Sequence, residues 1–371
     1  MRVLISGGGI AGVALAYFLQ KDHAVTIVEK ASHWRTIGLA VGIWTNGLKI
    51  LDDLPLSKEF KASAFPVHAG AGLSAQGETL FQIPFDRPDM TTHTFERDAL
   101  HRALTDLLEG PLVRFNTTIM SILQLESSVE VSFSDGTKDT FDLVVGADGV
   151  HSKVRELTFG AHVLHDYGWN GLGAWISPSS PHFPGYYILC TAGESILSLP
   201  YRDKQAVGLL YKSSDPAWPK KPATPEEVLE RFPTLRDKIE KIAHSIENFD
   251  SMIYGKMQYP KLREWHRGRV VVVGDAKHAM TPLTGAGTSF ALEDALVLSQ
   301  EVNLHPLPDA LANFAARRDR RMRQAAPFCN TIEALGMVNT PLREKVNNFA
   351  LQHMPDAVPN LMFKMMFDAS L

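Results

Sequence analysis

The sequence has little cysteine, no excess of positive charge and no long apolar run. Its 371 residues include only two cysteines, Cys190 and Cys329, which excludes a disulfide framework and a cysteine metal cluster and fits a reducing cytoplasm. The formal net charge of −4 gives no basic field for nucleic acid. No apolar run approaches the roughly 20 residues of a membrane-spanning helix. The fourteen histidines show no metal-ligand spacing, so no metal site is expected.

The first twenty residues contain a glycine-rich turn between a predicted strand and a predicted helix. Gly7, Gly9 and Gly12 form a G-x-G-x-x-G, after strand-like residues 3–6 and before helix-like residues 11–20. Such glycines make the turn, let the backbone approach a pyrophosphate and allow helix–strand packing. The pattern predicts a dinucleotide site but does not distinguish a nicotinamide from a flavin. Because this N-terminus is itself a core strand, we expect no cleavable signal before it.

An acidic residue follows the second predicted strand. Residues 24–29 (AVTIVE) predict a short buried strand that ends at Glu29, 22 residues after Gly7. In a βαβ unit an acid at this place accepts a hydrogen bond from an adenosine ribose hydroxyl. The alternative is a surface glutamate after a strand.

The middle of the chain predicts further elements of both kinds. An amphipathic helix is expected from about Glu96, since "ERDALHRALTDLL" has apolar residues at helical spacing. "VEVSFSDGTKDTF" predicts a hairpin with an Asp135-Gly136 turn, followed by a buried strand that runs to Gly146. Residues 165–212 show short β runs broken by glycine and proline. That pattern suits an antiparallel sheet inserted into a nucleotide-binding domain.

The segment "GRVVVVGDAKHAMTPLTGAGTSFALEDALVLSQEV" carries the strongest evidence on the cofactor. Residues 270–273 predict an apolar strand, and Asp275 stands at its carboxyl end, where α/β sheets bind ligands. A turn through Pro282, Gly285 and Gly287 leads into a predicted helix, whose unpaired N–H groups favour negative charge. A reduced flavin is an anion at its pyrimidine edge, and its ribityl hydroxyls suit a carboxylate. These features favour a flavin over a nicotinamide.

The chain resembles the class A flavoprotein monooxygenases, the p-hydroxybenzoate hydroxylase-like family. "GGGIAG", "DLVVGADGVHSKVR" and "GDAKHAMTPLTGAG" match the family's pyrophosphate, DG and GD motifs in order and spacing, and "GLAVGIWTNGLKIL" and "FAARRDRRMRQA" match more weakly. The resemblance implies an α/β fold: a Rossmann-like FAD-binding domain, an inserted, mainly antiparallel β-sheet substrate domain and a C-terminal helical segment. We predict the FAD-binding domain in residues 1–66, 94–160 and 263–304, the substrate domain in 67–93 and 161–262, and the helical segment in 305–371.

The resemblance also implies roles for single residues. The three glycines would hold the pyrophosphate, Glu29 the adenosine ribose, Arg35 and Arg97 the phosphates or ribityl chain, and Asp275 the ribityl hydroxyls. Asp148 would shape the DG loop, which in the family serves both FAD and the arriving nicotinamide, and residues 285–289 would cover the flavin pyrimidine. The chain departs from the family at Lys277, where a solvated lysine is expected and added positive charge near the cofactor is the alternative, and at Ser289. The implied cofactor-binding residues are Gly7, Gly9, Ile10, Ala11, Gly12, Glu29, Lys30, Arg35, Gly42, Arg97, Asp148, Asp275, Pro282, Gly285, Gly287, Thr288 and Ser289.

The activity implied is hydroxylation of an aromatic or polyketide-like small molecule through a flavin hydroperoxide, with FAD, O2 and NADH or NADPH. Because the flavin carries the chemistry, no catalytic side chain is named, and His278 suits packing as well as catalysis. Alternatives are a FAD-dependent reductase, a flavin halogenase, although its W-x-W-x-I-P signature is missing, and a FAD-binding sensor without turnover. No nucleic acid or integral membrane segment is expected, and the chain is expected to be a monomer or weak dimer.

Two predicted strands around an Arg202-Asp203 turn are candidates for the wall of a substrate pocket. Period-two alternation puts three residues of each strand on one face of that strand. The pocket would be mostly apolar, and the alternative is that these residues are ordinary core. They are Ser195, Leu197 and Leu199 in the first strand and Val207, Leu209 and Tyr211 in the second.

The C-terminal "HMPDAVPNLMFKMMFDASL" is rich in methionine and phenylalanine. We expect a helix that caps the domain interface, and the alternative is contact with a membrane surface or a partner.

Overall fold

A computed structural model describes residues 1–34, 38–87, 89–160, 164–176, 185–215, 219–246, 248–355 and 357–367. Within these ranges the strands are β1 (Arg2–Ser6), β2 (Ala24–Val28), β3 (Ala40–Trp44), β4 (Phe65–Val67), β5 (Ala69–Leu73), β6 (Thr79–Pro84), β7 (Asp86–Arg87), β8 (Met90–Glu96), β9 (Leu112–Arg114), β10 (Ile119–Gln124), β11 (Val129–Phe133), β12 (Lys138–Phe141), β13 (Leu143–Gly146), β14 (Leu164–Ile176), β15 (Tyr186–Thr191), β16 (Glu194–Tyr201), β17 (Lys204–Lys212), β18 (Ile253–Pro260), β19 (His266–Arg267) and β20 (Val270–Val272).

The α-helices of the same ranges alternate with the strands in the first part of the chain and follow one another at its end. They are α1 (Ile10–Leu19), α2 (Thr45–Asp52), α3 (Lys58–Ser63), α4 (Arg97–Thr105), α5 (Lys153–Phe159), α6 (Pro225–Leu229), α7 (Arg236–His244), α8 (Asp275–His278), α9 (Gly287–Leu304), α10 (Leu307–Gly336), α11 (Pro341–Gln352) and α12 (Ala357–Phe367).

The first sheet, here called the parallel sheet, runs in the order β19-β20-β13-β1-β2-β9. The pairings of β1 with β2 and β13, of β13 with β20 and of β2 with β9 are parallel, and only β19 is antiparallel. Both faces are covered: Val3 packs into one apolar cluster and its neighbour Leu4 into another. A strand that is buried on both faces has a continuous apolar sequence, which explains "VLI" and "VVVV".

The second large sheet, here called the antiparallel sheet, runs in the order β18-β14-β17-β16-β15-β5-β6. Its pairs are antiparallel except for β5 with β15. Leu197 and Leu210 of one face pack in a cluster with residues of α10 and α12. Ile196 and Leu209 of the other face pack against α6 and α7. The sheet is therefore buried on both sides, but by different partners.

The expected α/β fold is confirmed, and its division into domains stays a prediction. One expectation about the antiparallel sheet is wrong. β14 is not a set of short runs but one strand of 13 residues with an irregularity between Asp166 and Asn170. Its glycines do not break it, because a Cβ at Gly171 would lie 2.6 Å from Met257 and one at Gly173 would lie 2.8 Å from Ile253. These glycines make room for side chains of β18.

Helix α10 joins the two sheets. It begins beside the helices that cover the parallel sheet, where Leu311 and Phe314 are buried, and its last turns pack Phe328 and Ile332 towards the antiparallel sheet. Pro327 lies between these two halves of the helix. No helix in the described part of the chain combines the length and apolarity needed to cross a membrane.

Candidate functional site

The glycine turn connects β1 to α1, and each glycine has its own structural reason. Gly7 has a φ of +104°, and a Cβ there would lie 2.5 Å from the Ala147 carbonyl oxygen. A Cβ at Gly12 would lie 2.0 Å from the Gly7 carbonyl oxygen. A Cβ at Gly9, in contrast, would meet nothing within 4 Å. Gly7 and Gly12 thus serve the protein's own packing, whereas Gly9 faces open space that a ligand can occupy.

A cavity of about 270 Å³ lies beside this turn and is lined by Gly9, Glu29, Lys30 and Asp148, among others. The Glu29 carboxylate accepts hydrogen bonds from the Gly8 N–H and the Ala31 N–H, both at 2.9 Å. Each of its oxygens has capacity for a further bond, as a ribose hydroxyl would require.

Asp148 holds the start of α5 with one oxygen and leaves the other unpaired. Its Oδ2 accepts hydrogen bonds from the N–H groups of Lys153 and Val154 at 2.8 and 3.2 Å. Its Oδ1 is buried without a hydrogen-bond partner among the described residues. Burial raises the pKa of Asp148. An unpaired buried oxygen on the wall of this cavity is what a site for a polar ligand would show.

Arg155 connects the loop after β13 to helix α8. Its guanidinium donates to the Val150 carbonyl at 2.6 Å and to the Ala276 carbonyl at 2.8 Å, and the residue is buried. The sequence reasoning did not single it out, although it stands within the quoted DG motif. We assign it a positioning role.

Arg97 and Asp275, which the resemblance assigned to one cofactor, lie close enough to interact. Arg97 begins α4 and Asp275 begins α8. Burial lowers the pKa of Arg97, and the charge of Asp275 opposes this shift. Asp275 is exposed, and a Cβ at Gly287 would lie 3.8 Å from its Oδ1. The carboxylate therefore stands at the start of α9.

The start of α9 presents backbone N–H groups without a side-chain cap. Pro282 opens a 3₁₀ turn, and Gly285 ends it in the left-handed conformation with a φ of +61°. The side chain of Ser289 is buried, and its hydroxyl accepts the Trp44 N–H at 3.1 Å. Ser289 therefore contributes backbone rather than a hydroxyl to any ligand. The first turn of an 18-residue helix suits a negatively charged group.

An aromatic cluster lies next to this turn. Its centre is Trp44, whose Nε1–H donates to the Gly285 carbonyl at 3.0 Å. The Phe367 ring stacks on Trp44 with a centroid distance of 3.9 Å, and the Phe85 ring meets it edge-on at 4.9 Å. The aromatic cluster consists of Trp44, Phe85, Tyr186, Phe328, Phe363 and Phe367. The sequence reasoning took only Gly42 from "GLAVGIWTNG" and missed Trp44, because no local pattern shows which distant rings a tryptophan will meet.

The C-terminal helix α12 packs inward against this cluster. Phe363, Met366 and Phe367 are buried, and the guanidinium of Arg321 donates to the carbonyl of Met366. The expected helix is present, and that it caps a domain interface stays a prediction. The outer face of α12 leaves Leu361 59% exposed, so contact with a membrane or partner stays open.

The predicted substrate wall is wrong as one continuous surface. In the pairing of β16 with β17, Leu197 lies opposite Gly208 and Leu199 opposite Ala206, whereas Val207 pairs with Ser198. Side chains of paired residues share a face, so the two predicted sets lie on opposite faces of the sheet. Val207, Leu209 and Tyr211 pack on the face that meets α6 and α7, where Val207 and Leu209 are ordinary core.

On the other face, the three predicted residues have different surroundings. The Ser195 hydroxyl donates to the Gly336 carbonyl at the end of α10, and Leu197 is buried in the cluster that contains Phe290. Leu199 lies near the Gly285 turn. A Cβ at Gly42 would be 3.6 Å from the Leu199 Cδ2 and 3.9 Å from the Gly285 carbonyl oxygen. Leu199 alone of these three is placed beside the expected flavin position.

Lys277 is not the solvated lysine that was expected. It is buried, its ammonium donates to the Leu262 carbonyl at 2.9 Å, and it lies 4.4 Å from the centroid of the Trp265 ring. Burial lowers the pKa of Lys277, and Asp319 and Asp294 oppose that shift. The carbonyl and the ring face compensate a buried cation, which explains the residue's position.

A buried group of charges, here called the charge cluster, joins α8, α9 and α10. Arg318 donates to Asp294 and to Glu293, both at 2.6 Å, and all three residues are almost fully buried. His278 Nε2 lies 2.7 Å from Asp294, and Arg321 completes the cluster at 3.2 Å from Glu293. Burial opposes ionisation of Asp294, but the charges of Arg318 and His278 outweigh it and lower its pKa to about 2. His278 is thus committed to a structural contact.

Of the remaining predicted residues, Ile10 and Ala11 are buried in the first turn of α1, and Thr288 follows Gly287 in α9. Arg35 lies outside the described residues. No group of three or more His, Cys, Asp and Glu side chains in the described ranges could hold a metal ion.

Comparison with known proteins also indicates a FAD-binding protein. The family described as "FAD binding domain" matches residues 1–321. The 2-heptyl-3-hydroxy-4(1H)-quinolone synthase of Pseudomonas aeruginosa is 29% identical over 371 residues, covering 96% of this chain and 95% of the relative. The FAD-dependent monooxygenase asL4 of Sarocladium schorii is 26% identical over 335 residues, covering 82% of this chain and 76% of the relative.

A solved structure matches the whole chain. Klebsiella pneumoniae HpxO, crystallised with FAD and uric acid, superposes with a TM-score of 0.85 at 19% identity and covers 100% of this chain and 97% of its own. At this identity the likeness shows the fold alone.

Proposed function

The chain belongs to the FAD binding domain family and is a flavoprotein monooxygenase that uses FAD, and from this premise we propose that it hydroxylates an aromatic or polycyclic small molecule with electrons from NADH or NADPH. When bound, FAD supplies the chemistry: it takes electrons from the nicotinamide and passes one oxygen atom of O2 to the substrate. The protein's own residues bind, orient and keep water out.

The binding part of the proposal follows the cavity beside the glycine turn. The pyrophosphate occupies the open space at Gly9, and the adenosine ribose binds Glu29. Asp275 accepts hydrogen bonds from the ribityl chain, and the first turn of α9 covers the pyrimidine edge. The unpaired Asp148 oxygen and the uncapped α9 start are the observations that support this fit.

The observation that carries the proposed reaction is the meeting of Gly42 of β3, Leu199 of β16 and the Gly285 turn before α9 at one point. We place the substrate there. A neighbouring cavity, which is lined by Trp44, Tyr186 and Phe363 among others, has a volume of only about 10 Å³, so a substrate that extends into it has to displace side chains of the aromatic cluster. The same rings exclude water, which protects a reactive oxygen donor from wasteful decay.

The substrate is proposed as an aromatic or polyketide-like compound, and the named relatives suggest where to begin. A panel should include 4-quinolones, because one relative's name contains that ring, together with phenols and benzoates. Purified protein is mixed with each compound, with NADH or NADPH, under isotopically labelled O2. The expected result is stimulated NAD(P)H oxidation with one labelled oxygen atom in the product. Formation of hydrogen peroxide alone with every compound would overturn the proposal.

A further inference from the structure

The last two helices carry a concentration of exposed apolar side chains. Six of the thirteen large apolar side chains that are exposed among the described residues lie on α11 and α12. Leu342 is 74% exposed and Phe349 is 64% exposed. Single exposed apolar residues need no explanation, but a concentration of them marks a site of interaction. The six residues, here called the α11–α12 stripe, are Leu342, Val346, Phe349, Val358, Leu361 and Met365.

The three residues of the stripe on α11 lie along one face of that helix. Leu342, Val346 and Phe349 are separated by four and then three residues, which places them on the same side of an α-helix. The opposite side packs inward. There Leu351 is buried, and the Glu344 carboxylate accepts hydrogen bonds from the end of β15 and the turn after it. An ordinary surface helix buries its apolar stripe, whereas α11 exposes one.

Helix α12 is apolar on both its inner and its outer side. Phe363 and Phe367 of the inner side are buried in the aromatic cluster. Val358, Leu361 and Met365 are separated by three and then four residues, so they share the outer side. A helix that is apolar all round is normally buried. The inner sides of α11 and α12 border one small cavity beside α10, so their outer stripes lie on neighbouring parts of the surface.

The exposed charges beside the stripe are positive. Each residue of an α-helix turns it by about 100°, so Lys345 lies on one side of the α11 part of the stripe and Arg343 on the other, and both are exposed. Lys364 is the only charged residue of α12, and its contact with Asp89 at 3.5 Å leaves both side chains about half exposed. Glu344, the only acid of the two helices, is turned inward. The chain as a whole is acidic, with a net charge of −4, so this surface differs in sign from the rest.

We propose that the α11–α12 stripe docks on the surface of an anionic lipid bilayer. The apolar side chains enter the boundary between headgroups and acyl chains, and the basic side chains contact anionic headgroups. This combination of an apolar face with flanking lysine or arginine is typical of helices that lie on a membrane. A second copy of the chain fits less well, because a symmetric contact would bring the same positive charges against one another.

The position of α12 relates this docking to the aromatic cluster. The outer side of α12 meets the bilayer, and its inner side contributes Phe363 and Phe367 to the cluster. The bilayer surface then lies one helix diameter, about 10 Å, from the rings that a substrate has to displace. An apolar substrate dissolved in the bilayer would have a short route to them. This consequence rests on the proposed function, whereas the docking does not, and the experiment below therefore uses no substrate.

The test measures binding of the FAD-loaded protein to lipid vesicles by sedimentation. The vesicles consist of phosphatidylcholine alone or of phosphatidylcholine with one third phosphatidylglycerol. Wild type should bind the anionic vesicles, and the neutral ones more weakly. Leu342→Ser/Phe349→Ser should lower the partition coefficient on anionic vesicles about tenfold, because less apolar area is buried. Arg343→Gln/Lys345→Gln should lower it about 25-fold on anionic vesicles alone, since each basic residue near an anionic surface contributes a factor of about five.

Two control variants make the same chemical changes elsewhere on the surface. Leu112→Ser/Leu123→Ser replaces two exposed leucines, one in β9 and one in β10. Lys58→Gln/Lys61→Gln removes two exposed lysines from the short helix α3. Both controls should bind vesicles like wild type. Circular dichroism and flavin content compare the fold of all four variants with that of wild type.

The outcomes separate the bilayer from other occupants of this surface. If wild type does not bind anionic vesicles, or if the controls lose as much binding as the stripe variants, the inference is overturned. Sedimentation velocity without lipid tests for a second copy of the chain. A wild-type dimer that Leu342→Ser/Phe349→Ser dissociates would make this surface an interface between copies, which would also overturn the inference.

Discussion

At the glycine turn, positions are set by backbone atoms; at the aromatic cluster, they are set by side chains from distant segments. Gly7 and Gly12 are close in sequence, and a Cβ at either would meet backbone within 2.5 Å. Trp44 instead meets Phe85, which lies between β6 and β7, and Phe367, which lies in the last helix. A backbone turn has no freedom to adjust, whereas packed rings can rearrange. The glycine turn therefore suits a cofactor that stays bound, and the aromatic cluster suits a substrate that enters and leaves.

The largest effect is expected at the turn. Gly12→Val places a branched side chain against the Gly7 carbonyl oxygen, so the protein should lose FAD altogether and unfold at lower temperature. Gly9→Ala is the matched change, because its methyl group points into open space. It should keep the wild-type circular dichroism spectrum and bind FAD more weakly. If both variants retain stoichiometric FAD, the proposed distinction between Gly12 and Gly9 is wrong.

The charge cluster that supports the aromatic cluster should come next. Arg318→Met leaves Glu293 and Asp294 buried without their partner, which typically costs about 3–5 kcal/mol of stability. Lys138→Met is the control, since its pair with Glu130 is exposed on both sides and worth about 0–1 kcal/mol. Urea unfolding of both variants measures the difference. Equal losses would show that burial does not set the strength of these pairs.

The same cluster predicts a dependence of stability on pH. The pKa of Asp294 is lowered from 3.8 to about 2 in the folded state, so its stabilisation is fully present above about pH 5. It is lost as the pH falls through about 2. Asp294→Asn should reduce the acid slope of the unfolding free energy. An unchanged slope in this variant would place the acid sensitivity elsewhere.

A substitution at Asp275 tests whether the cofactor extends from the glycine turn towards the aromatic cluster. Removing a charged hydrogen-bond acceptor costs about 1.5–3 kcal/mol, so Asp275→Ala should weaken FAD binding by roughly tenfold to a hundredfold. The fold should survive, because the residue is exposed. FAD titration of the apo variant beside wild type measures the effect, with Asp203→Ala in the β16–β17 turn as control. Wild-type affinity in Asp275→Ala would remove the ribityl chain from this position.

The smallest effect is expected from Trp44→Phe, which keeps an aromatic ring but loses the hydrogen bond to the Gly285 carbonyl. Its net cost is about 1 kcal/mol. FAD should remain bound, while substrate binding weakens about fivefold at about 1.4 kcal/mol per tenfold change. Substrate-stimulated NAD(P)H oxidation measures this change. If FAD binding weakens more than substrate binding, Trp44 serves the cofactor rather than the substrate.

The glycine turn and the aromatic cluster also differ in how far their structures could be predicted from the sequence. The turn at Gly7, the strand before Asp275 and the hairpin at Gly136 follow from local patterns, and the structure places them where those patterns predicted. The faces of β16 and β17 could not be predicted jointly, because alternation gives the faces of one strand but not the register between two. That Lys277 is buried depends on Trp265 and the Leu262 carbonyl, which only the folded chain brings to it.

Trp44 connects the expected flavin site at the start of α9 to the last helix, α12. Its N–H bonds to Ser289 at the start of α9, its indole bonds to Gly285, and its ring carries Phe367 of the last turn of α12. Thermodynamic coupling between two sites is reciprocal. We therefore expect the part of the FAD binding free energy that is coupled to α12 through Trp44 to appear as slower hydrogen exchange in α12. Conversely, a substitution that loosens α12 should weaken FAD binding by that same coupling free energy.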